Sequence, residues 1–461
     1  MGWNGARKTP KVMRSGRDIS CLPRLRTLPH RRRYVTAPAR TLRNRAPRRC
    51  GGGYARSHGR RRAMVDFTDT PEQAVFRARV RDFIEETAAV AERPGDDPLM
   101  ERAGSDSEGV TLRWRKALAE RGWLGPHWPK EYGGLGLTVT EQFILNQELA
   151  GRVGGISGLL GIAVMMFGPT LILTGSEEQK QQHLPKILTD EFEWCQGWSE
   201  PSAGSDLASL QTRAKRDGDD FIISGQKIWT SRAHKADGMY FIARTNPDAP
   251  KHRGISFFWM YMDLPGISVR PLVNLANRHS FNEVFFEDVR IPAANMIGEE
   301  DRGWYAAATL LDFERSGIGN SIGASQLVQR IVDLANELPE EETHLSERPM
   351  LRAQFADRAI EAEVGMLFSF RIMTMQVEGL VPNMEASVAK LFNSEMTQRI
   401  AQLHMSLLGL YGNLWDEHRE EGQHGAAAQR YLQAASSTIG GGTSEIQRNI
   451  IATRGLALPR G

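Results

Sequence analysis

The apolar residues of this 461-residue chain change their spacing twice, and that double change limits the fold more than any other feature. Up to about residue 190 they recur at helical intervals. Over 191–298 they fall into short runs of strand length, separated by Gly and Asp/Asn/Pro turns. From Gly303 the helical spacing returns. The pattern predicts an α+β multidomain chain: an N-terminal all-α domain over 64–190, a middle antiparallel β-barrel (or sandwich) domain over 191–300, and a C-terminal α-helical bundle over 301–461.

The first helix is announced by Thr70, Pro71 and Glu72, which read as an N-cap, a first-turn proline and an early acid. Val75, Val80, Phe83 and Ile84 follow at helical spacing. Residues 93–109 read as a polar loop, 112–122 as a helix, and 123–137 as a rigid, turn-rich segment. Further helices are expected over 140–151, 156–174 and 177–188. Strand-like runs lie at 221–224, 239–243, 255–262, 267–270 and 283–286. The bundle begins with a long helix over 304–338, with Ile318, Ile322, Leu327, Ile331 and Leu334 on one face. After a polar break at 339–349, helices are expected over 350–378, 383–410, 426–436 and 443–454.

Composition adds one decisive point. Residues 1–63 hold 19 Lys/Arg and a single acid, Asp18, a net +18; the chain's +3 therefore leaves −15 for the rest. The basic segment has no apolar periodicity and cannot bury enough surface to order itself, so it is expected to be a disordered Arg-rich extension. Three readings of it stand: a start at Met64, an organelle transit peptide, or a basic arm for anionic partners. The prolines at 23, 29, 38 and 47 weigh against an amphipathic transit helix, and the first reading is favoured. Nucleic acid is not an expected partner of the acidic body. Only Cys195 of the three cysteines (21, 50 and 195) falls where folding is expected, so neither a disulfide framework nor a metal site is indicated. No apolar run is long enough to span a bilayer.

Three stretches carry candidate chemistry. Residues 196–206 read Q-G-W-S-E-P-S-A-G-S-D and supply small side chains that expose backbone N–H groups and hydroxyls, which suits a planar, polar ligand with a phosphate tail. Residues 225–231, G-Q-K-I-W-T-S, bring an indole and two hydroxyls to a strand end. Residues 441–448, G-G-T-S-E-I-Q-R, put two glycines before a helix start, where the backbone can approach a ligand closely. Each has a bland alternative: a surface loop, a core tryptophan with turn residues, and a hinge with a helix cap. In this order and at this spacing, the three stretches resemble the acyl-CoA dehydrogenase family. Residues 123–137, 283–292, 298–303 and 389–395 (A-K-L-F-N-S-E) match further, so the resemblance covers essentially all of 64–461.

The resemblance implies FAD, held between the β domain and the bundle. It places Gln196, Trp198 and Ser199 along the flavin, with the Ser199 hydroxyl near the pyrimidine end. Ser205 falls at the pyrophosphate and the substrate pocket, Trp229 and Thr230 beside the ring, and Ser231 near N5. Thr443 and Glu445 fall on the flavin side of the last helix. Gly441 and Gly442 fall at the substrate, where the Gly441 N–H can polarise a thioester carbonyl. Ser406, in S-L-L-G-L-Y-G, stands where the family often has a glutamine that binds the cofactor. The family's R-x-x-F-G motif is missing from 337–355, where Arg348 and Arg352 stand in another setting. That puts cross-subunit FAD contacts in doubt and resembles a branch that often assembles from two different subunits.

Removing an α-proton from an acyl thioester needs a carboxylate in a dry site. Where many family members carry that glutamate near the chain's end, this chain has Gly441. A subset resembling isovaleryl-CoA dehydrogenase places it on the long bundle helix, in an L-D-x-E-R setting, and Glu314 of L-L-D-F-E-R occupies that position. Leu310, Leu311, Gly317 and Ile318 surround Glu314 at helical spacing, with no basic partner four residues away. The alternative is a structural ion pair. The resemblance gives Asp312 and Arg315 to the CoA portion. It implies α,β-dehydrogenation of an acyl-CoA to a trans-2-enoyl-CoA, with Glu314 as base and hydride passing to flavin N5. An electron-transfer flavoprotein is the implied acceptor, in a homo- or hetero-oligomer, with a cytoplasmic location or, if the extension is a transit peptide, a mitochondrial one. A partner-dependent subunit and a flavin oxidase of the same fold are the alternatives.

Overall fold

A computed structural model of the chain describes residues 68–92, 109–153, 156–308, 320–337, 348–415 and 424–459. The basic extension and nearly all of the polar loop over 93–109 lie outside them. Helix α1, Pro71–Ala91, starts where its cap was expected: Thr70 Oγ1 accepts from Gln73 N at 3.3 Å, and Gln73 Oε1 accepts from Thr70 N at 2.9 Å. The N-terminal part continues with α2 (Val110–Glu120), α3 (Val139–Val153), α4 (Ile156–Ile162), α5 (Gly168–Thr174) and α6 (Glu177–Leu188). The single helix expected over 156–174 is overturned. Gly161 has a φ of 76° inside α4, and Ala163–Phe167 form a π-helical turn before α5. Side-chain spacing does not register a backbone break of this kind.

The middle part is a sheet of eight strands: β1 (Trp194–Gly197), β2 (Arg213–Asp217), β3 (Asp220–Lys227), β4 (Gly238–Arg244), β5 (Ile255–Tyr261), β6 (Ile267–Val273), β7 (His279–Pro292) and β8 (Met296–Ile297). Their order is β6-β7-β3-β2-β4-β5-β8, with β1 alongside β4. The barrel expectation is corrected on two points. The sheet is open: closure would need β6 to pair with β8, and β8 offers only two residues. It is also mixed, because β4 runs parallel to β1 (Trp194↔Gly238 through Gly197↔Phe241) and to β2 (Arg213↔Arg244). Strands β1, β2 and β8 escaped the pattern reading. Two of them are very short, and β2 (R-A-K-R-D) buries only Ala214.

Along β4 the side chains alternate between two cores. Tyr240 and Ile242 join Trp114, Trp128, Phe167, Leu184, Trp194 and Trp198 in the core shared with the N-terminal helices. Met239, Phe241 and Ala243 join Phe221, Phe258, Met260 and Phe286 on the other side. Gln179 of α6 fastens helices to sheet: it closes the cap of its own helix with Ser176 and donates from Nε2 to the carbonyls of Ala294 and Met296, each at 2.8 Å.

The C-terminal part is helical at 303–308 and then forms α7 (Asn320–Glu337), α8 (Pro349–Val377), α9 (Asn383–Leu408), α10 (His424–Ala434) and α11 (Ser444–Ile450). Ile331, Leu334, Phe355, Met396, Ile400 and Leu407 are buried in its core. Arg278, in the turn after β6, reaches Gln429 of α10 at 2.7 Å and ties sheet to bundle. Among the described residues no helix is long and apolar enough to cross a membrane.

Candidate functional site

The first two motif stretches meet at a buried ion pair. Glu200 leaves β1 in a tight turn in which Glu200 N and Ala203 N each donate to the other residue's carbonyl. Its Oε1 accepts from Lys227 Nζ at 2.9 Å, and its two oxygens also take the backbone N–H groups of Gln211 and Thr212. Lys227, at the end of β3, is fully buried and donates again to Trp198 O at 3.1 Å. One residue on, Ile228 N donates to Ser199 O at 2.9 Å. Gly225 makes this closeness possible: a Cβ there would stand 2.7 Å from Thr212 Cα. Burial pushes the Glu200 carboxyl up. The Lys227 charge and the hydrogen bonds from Gln211 and Thr212 outweigh it, holding the carboxyl below its ordinary value. Burial lowers the Lys227 ammonium, with Glu200 opposing.

Around this hub the predicted residues take distinct places. Gln196 is half-buried on β1, opposite Tyr240. The Trp198 indole is buried, and Ser199 is half-buried beside it. Ser205 is exposed, next to Asp206, which pairs with Lys251 at 2.8 Å. Trp229 follows the hub, 60% exposed and with a φ of 58°. Thr230 is buried, and Ser231 is exposed again.

The third stretch forms its own cluster in the bundle. Gly441 and Gly442 have φ of 67° and 87°, a left-handed pair that only glycine adopts without strain. Their carbonyls accept from Gln447 Nε2 at 3.1 and 3.2 Å, and Lys390 Nζ donates to Gly442 O at 2.7 Å. Lys390 comes from the A-K-L-F-N-S-E stretch of α9, so a further motif is absorbed here. Thr443 caps α11, its Oγ1 accepting from Ile446 N at 3.2 Å. Glu445 is exposed in the first turn, its carboxyl held below the usual range by its own backbone N–H and by Thr443. A groove of about 480 Å³ opens beside them, lined by Gln398, Gln402, Thr438, Thr443, Ser444 and Glu445 among others. Ser406 does not line it: it is exposed near the end of α9 and donates to Gln402 O at 2.8 Å. Asp312, Glu314 and Arg315 lie outside the described residues.

Lys227, Lys390 and Gln447 organise the site, and the sequence reading assigned none of them a role. Lys227 stands inside a named motif, but a lysine on a strand ordinarily reads as surface. Its partner is 27 residues away. Four buried polar atoms in the three stretches have no protein partner: Trp198 Nε1, Thr230 Oγ1, Ser444 Oγ and Gln447 Oε1. Buried polar groups ordinarily find partners. An indole N–H, two hydroxyls and an amide oxygen, with the exposed Trp229 indole, are the kinds of group a flavin with its ribityl and phosphate tail can use. The residues present fit FAD.

Comparison with known proteins agrees over the whole body. The chain matches the acyl-CoA dehydrogenase N-terminal domain over residues 70–191, the middle domain over 195–289 and the C-terminal domain over 301–456. It is 34% identical to acyl-CoA dehydrogenase IpdE1 of Mycobacterium tuberculosis over 394 residues, 84% of this chain and 97% of that protein. Among solved structures it resembles the Tcur3481–Tcur3483 steroid ACAD (TM-score 0.75, 31% identity, 86% of this chain and 100% of that one). It also resembles the ChsE4–ChsE5 complex of M. tuberculosis (TM-score 0.73, 31% identity, with the same coverage). With all three domain models matched in order and a relative aligned along nearly its whole length, this chain belongs to the acyl-CoA dehydrogenase family.

Proposed function

We propose that the chain oxidises a bulky, steroid-derived acyl-CoA between Cα and Cβ, giving the trans-2-enoyl-CoA, with Glu314 as the base. Acyl-CoA dehydrogenation with FAD is the family's activity. The observation that supports flavin binding by this chain is the Glu200–Lys227 hub, which joins two motif stretches beside the exposed Trp229. The steroid class is suggested by the relative described as a steroid ACAD.

In this reading Glu314 takes the proton from Cα. Such a step needs a carboxylate that is poorly solvated and therefore basic enough to take the proton. The Gly441 N–H donates to the thioester carbonyl and stabilises the charge that grows there. Trp229 would hold the cofactor's plane and exclude water, Gln196, Trp198, Ser199, Thr230 and Ser231 would lie along the flavin, Ser205 toward its polar tail, and Thr443 and Glu445 on the flavin side of the last helix. Asp312 and Arg315 bind the CoA portion, with Gly442 beside the thioester. FAD, when bound, supplies the two-electron acceptor for the hydrogen leaving Cβ. An electron-transfer flavoprotein is the acceptor that reoxidises the enzyme.

A second reading, that the chain works only with a different partner subunit, is favoured by the missing R-x-x-F-G motif and by the two-component relatives named above. One experiment addresses both. The full chain is purified alone, loaded with FAD and titrated anaerobically with straight-chain, branched and steroid side-chain acyl-CoAs while the flavin band is followed. Bleaching is expected with the steroid class. Bleaching only by short straight chains contradicts the substrate, and failure to retain FAD at all favours the partner-dependent reading.

A further inference from the structure

Trp229 stands on a backbone that a tryptophan rarely adopts, and strand pairing explains why. Lys227 pairs with Val284 in the β3–β7 ladder. Beyond it, Thr230 N donates to Asn282 O at 3.1 Å, and Arg232 N donates to Ser280 O at 3.1 Å. From the first pair to the second, the 227–230 side advances three residues and the 282–284 side advances two. One residue is therefore extra, as in a β-bulge, a device that re-aims a side chain beside a site. The left-handed residue in the extra stretch is Trp229, and its indole is turned outward.

We propose that Asn282 is the positioning residue that holds this bulge, and that His279 fixes the orientation of its carboxamide. Asn282 is fully buried. Its Nδ2 donates to Thr230 O at 2.9 Å, so side chain and main chain together grip both polar groups of the Thr230 backbone. Its Oδ1 stands 2.7 Å from His279 Nε2. The Thr230 carbonyl can only accept, so the amide nitrogen must face it. The amide oxygen then faces His279, and that ring must present an Nε2–H. His279 is braced in turn by His234, with ring centroids 3.9 Å apart and planes inclined by 23°. Between His279 and Asn282 in sequence, Phe281 sets its edge against the Trp229 indole, centroids 6.1 Å apart at 86°. Residues 279–282 thus form a template for the turn over 229–232.

The inference rests on the reading that Trp229 lies beside the flavin. Its test is made on the full-length protein. The FAD dissociation constant and the shape of the bound flavin's visible band are measured for wild type, Asn282→Leu, His279→Leu, His279→Gln and Trp229→Ala. Asn282→Leu and His279→Leu are expected to weaken FAD by roughly tenfold or more and to shift the band toward that of free flavin. His279→Gln, which keeps a side-chain N–H donor, is expected to stay close to wild type. A role in stability alone would lower the melting temperature without moving the band. If Trp229→Ala leaves band and affinity unchanged, the placement of Trp229 fails and takes the inference with it. If Trp229→Ala moves them while Asn282→Leu and His279→Leu do not, the inference alone is wrong. Should Asn282→Leu fail to fold, the His279 pair decides: separation of Leu from Gln supports the assignment, and identical behaviour overturns it.

Discussion

Glu200 and Lys227 are the residues on which the β-domain half of the site depends. The pair is buried, and Glu200 also satisfies two backbone N–H groups, so removing either partner strands a charge away from water. Glu200→Gln or Lys227→Met is expected to cost about 3–5 kcal/mol of stability in chemical denaturation, and the double variant less than the sum of the two. Additive losses would show that the two charges act independently. The pair also sets a pH dependence. The folded Glu200 carboxyl lies below its ordinary value of 4.5, so the unfolded chain takes up this proton first as pH falls. The stabilisation is complete above about pH 4.5 and is lost as pH drops through the folded value. Glu200→Gln should flatten that acid limb. Sequence alone placed both residues inside motifs but could not pair them, because a strand pattern gives the side of the sheet and not the partner across a turn. Trp229 was legible as a residue of interest. Its left-handed backbone was not, since that follows from an extra residue in pairing with β7.

Among the elements, helix positions were read well wherever caps and apolar spacing agreed, as at Thr70. They were read poorly where the backbone itself changes form: the π-helical turn at Ala163–Phe167 interrupts what looks like one apolar helix. Strand detection failed for β1 and β2 for another reason. A four-residue strand shows barely two alternations, and β2 presents mostly polar residues while pairing with β3 and β4. The open, mixed sheet was beyond reach for the same cause, since β1 and β2 supply its parallel pairings. Gln179 carries an element-scale prediction. It closes the cap of α6 through its oxygen and binds two carbonyls of the β domain through its nitrogen. Gln179→Glu keeps the cap acceptor but loses both donors and faces two carbonyl oxygens with a charge. A loss of about 2–3 kcal/mol is expected, larger than for removing the cap hydroxyl by Ser176→Ala at about 1 kcal/mol. Equal losses would mean that the link to the sheet contributes nothing.

At the scale of the molecule, the division into helices, sheet and bundle was legible because the period of the apolar pattern changes at each boundary. The split of charge between a basic extension and an acidic body was legible by counting. The grouping of the site was only partly so: two stretches meet at Glu200–Lys227, while the third closes on itself through Gln447 and Lys390. We propose that Glu314 performs the proton abstraction for which Gly441 has no side chain. The most direct test is the rate of anaerobic flavin reduction by the best acyl-CoA, compared between the wild-type chain and Glu314→Gln. The variant should bind FAD as wild type does and reduce it at least ~10²-fold more slowly, the low end for loss of a general base. Reduction at the wild-type rate would place the base elsewhere.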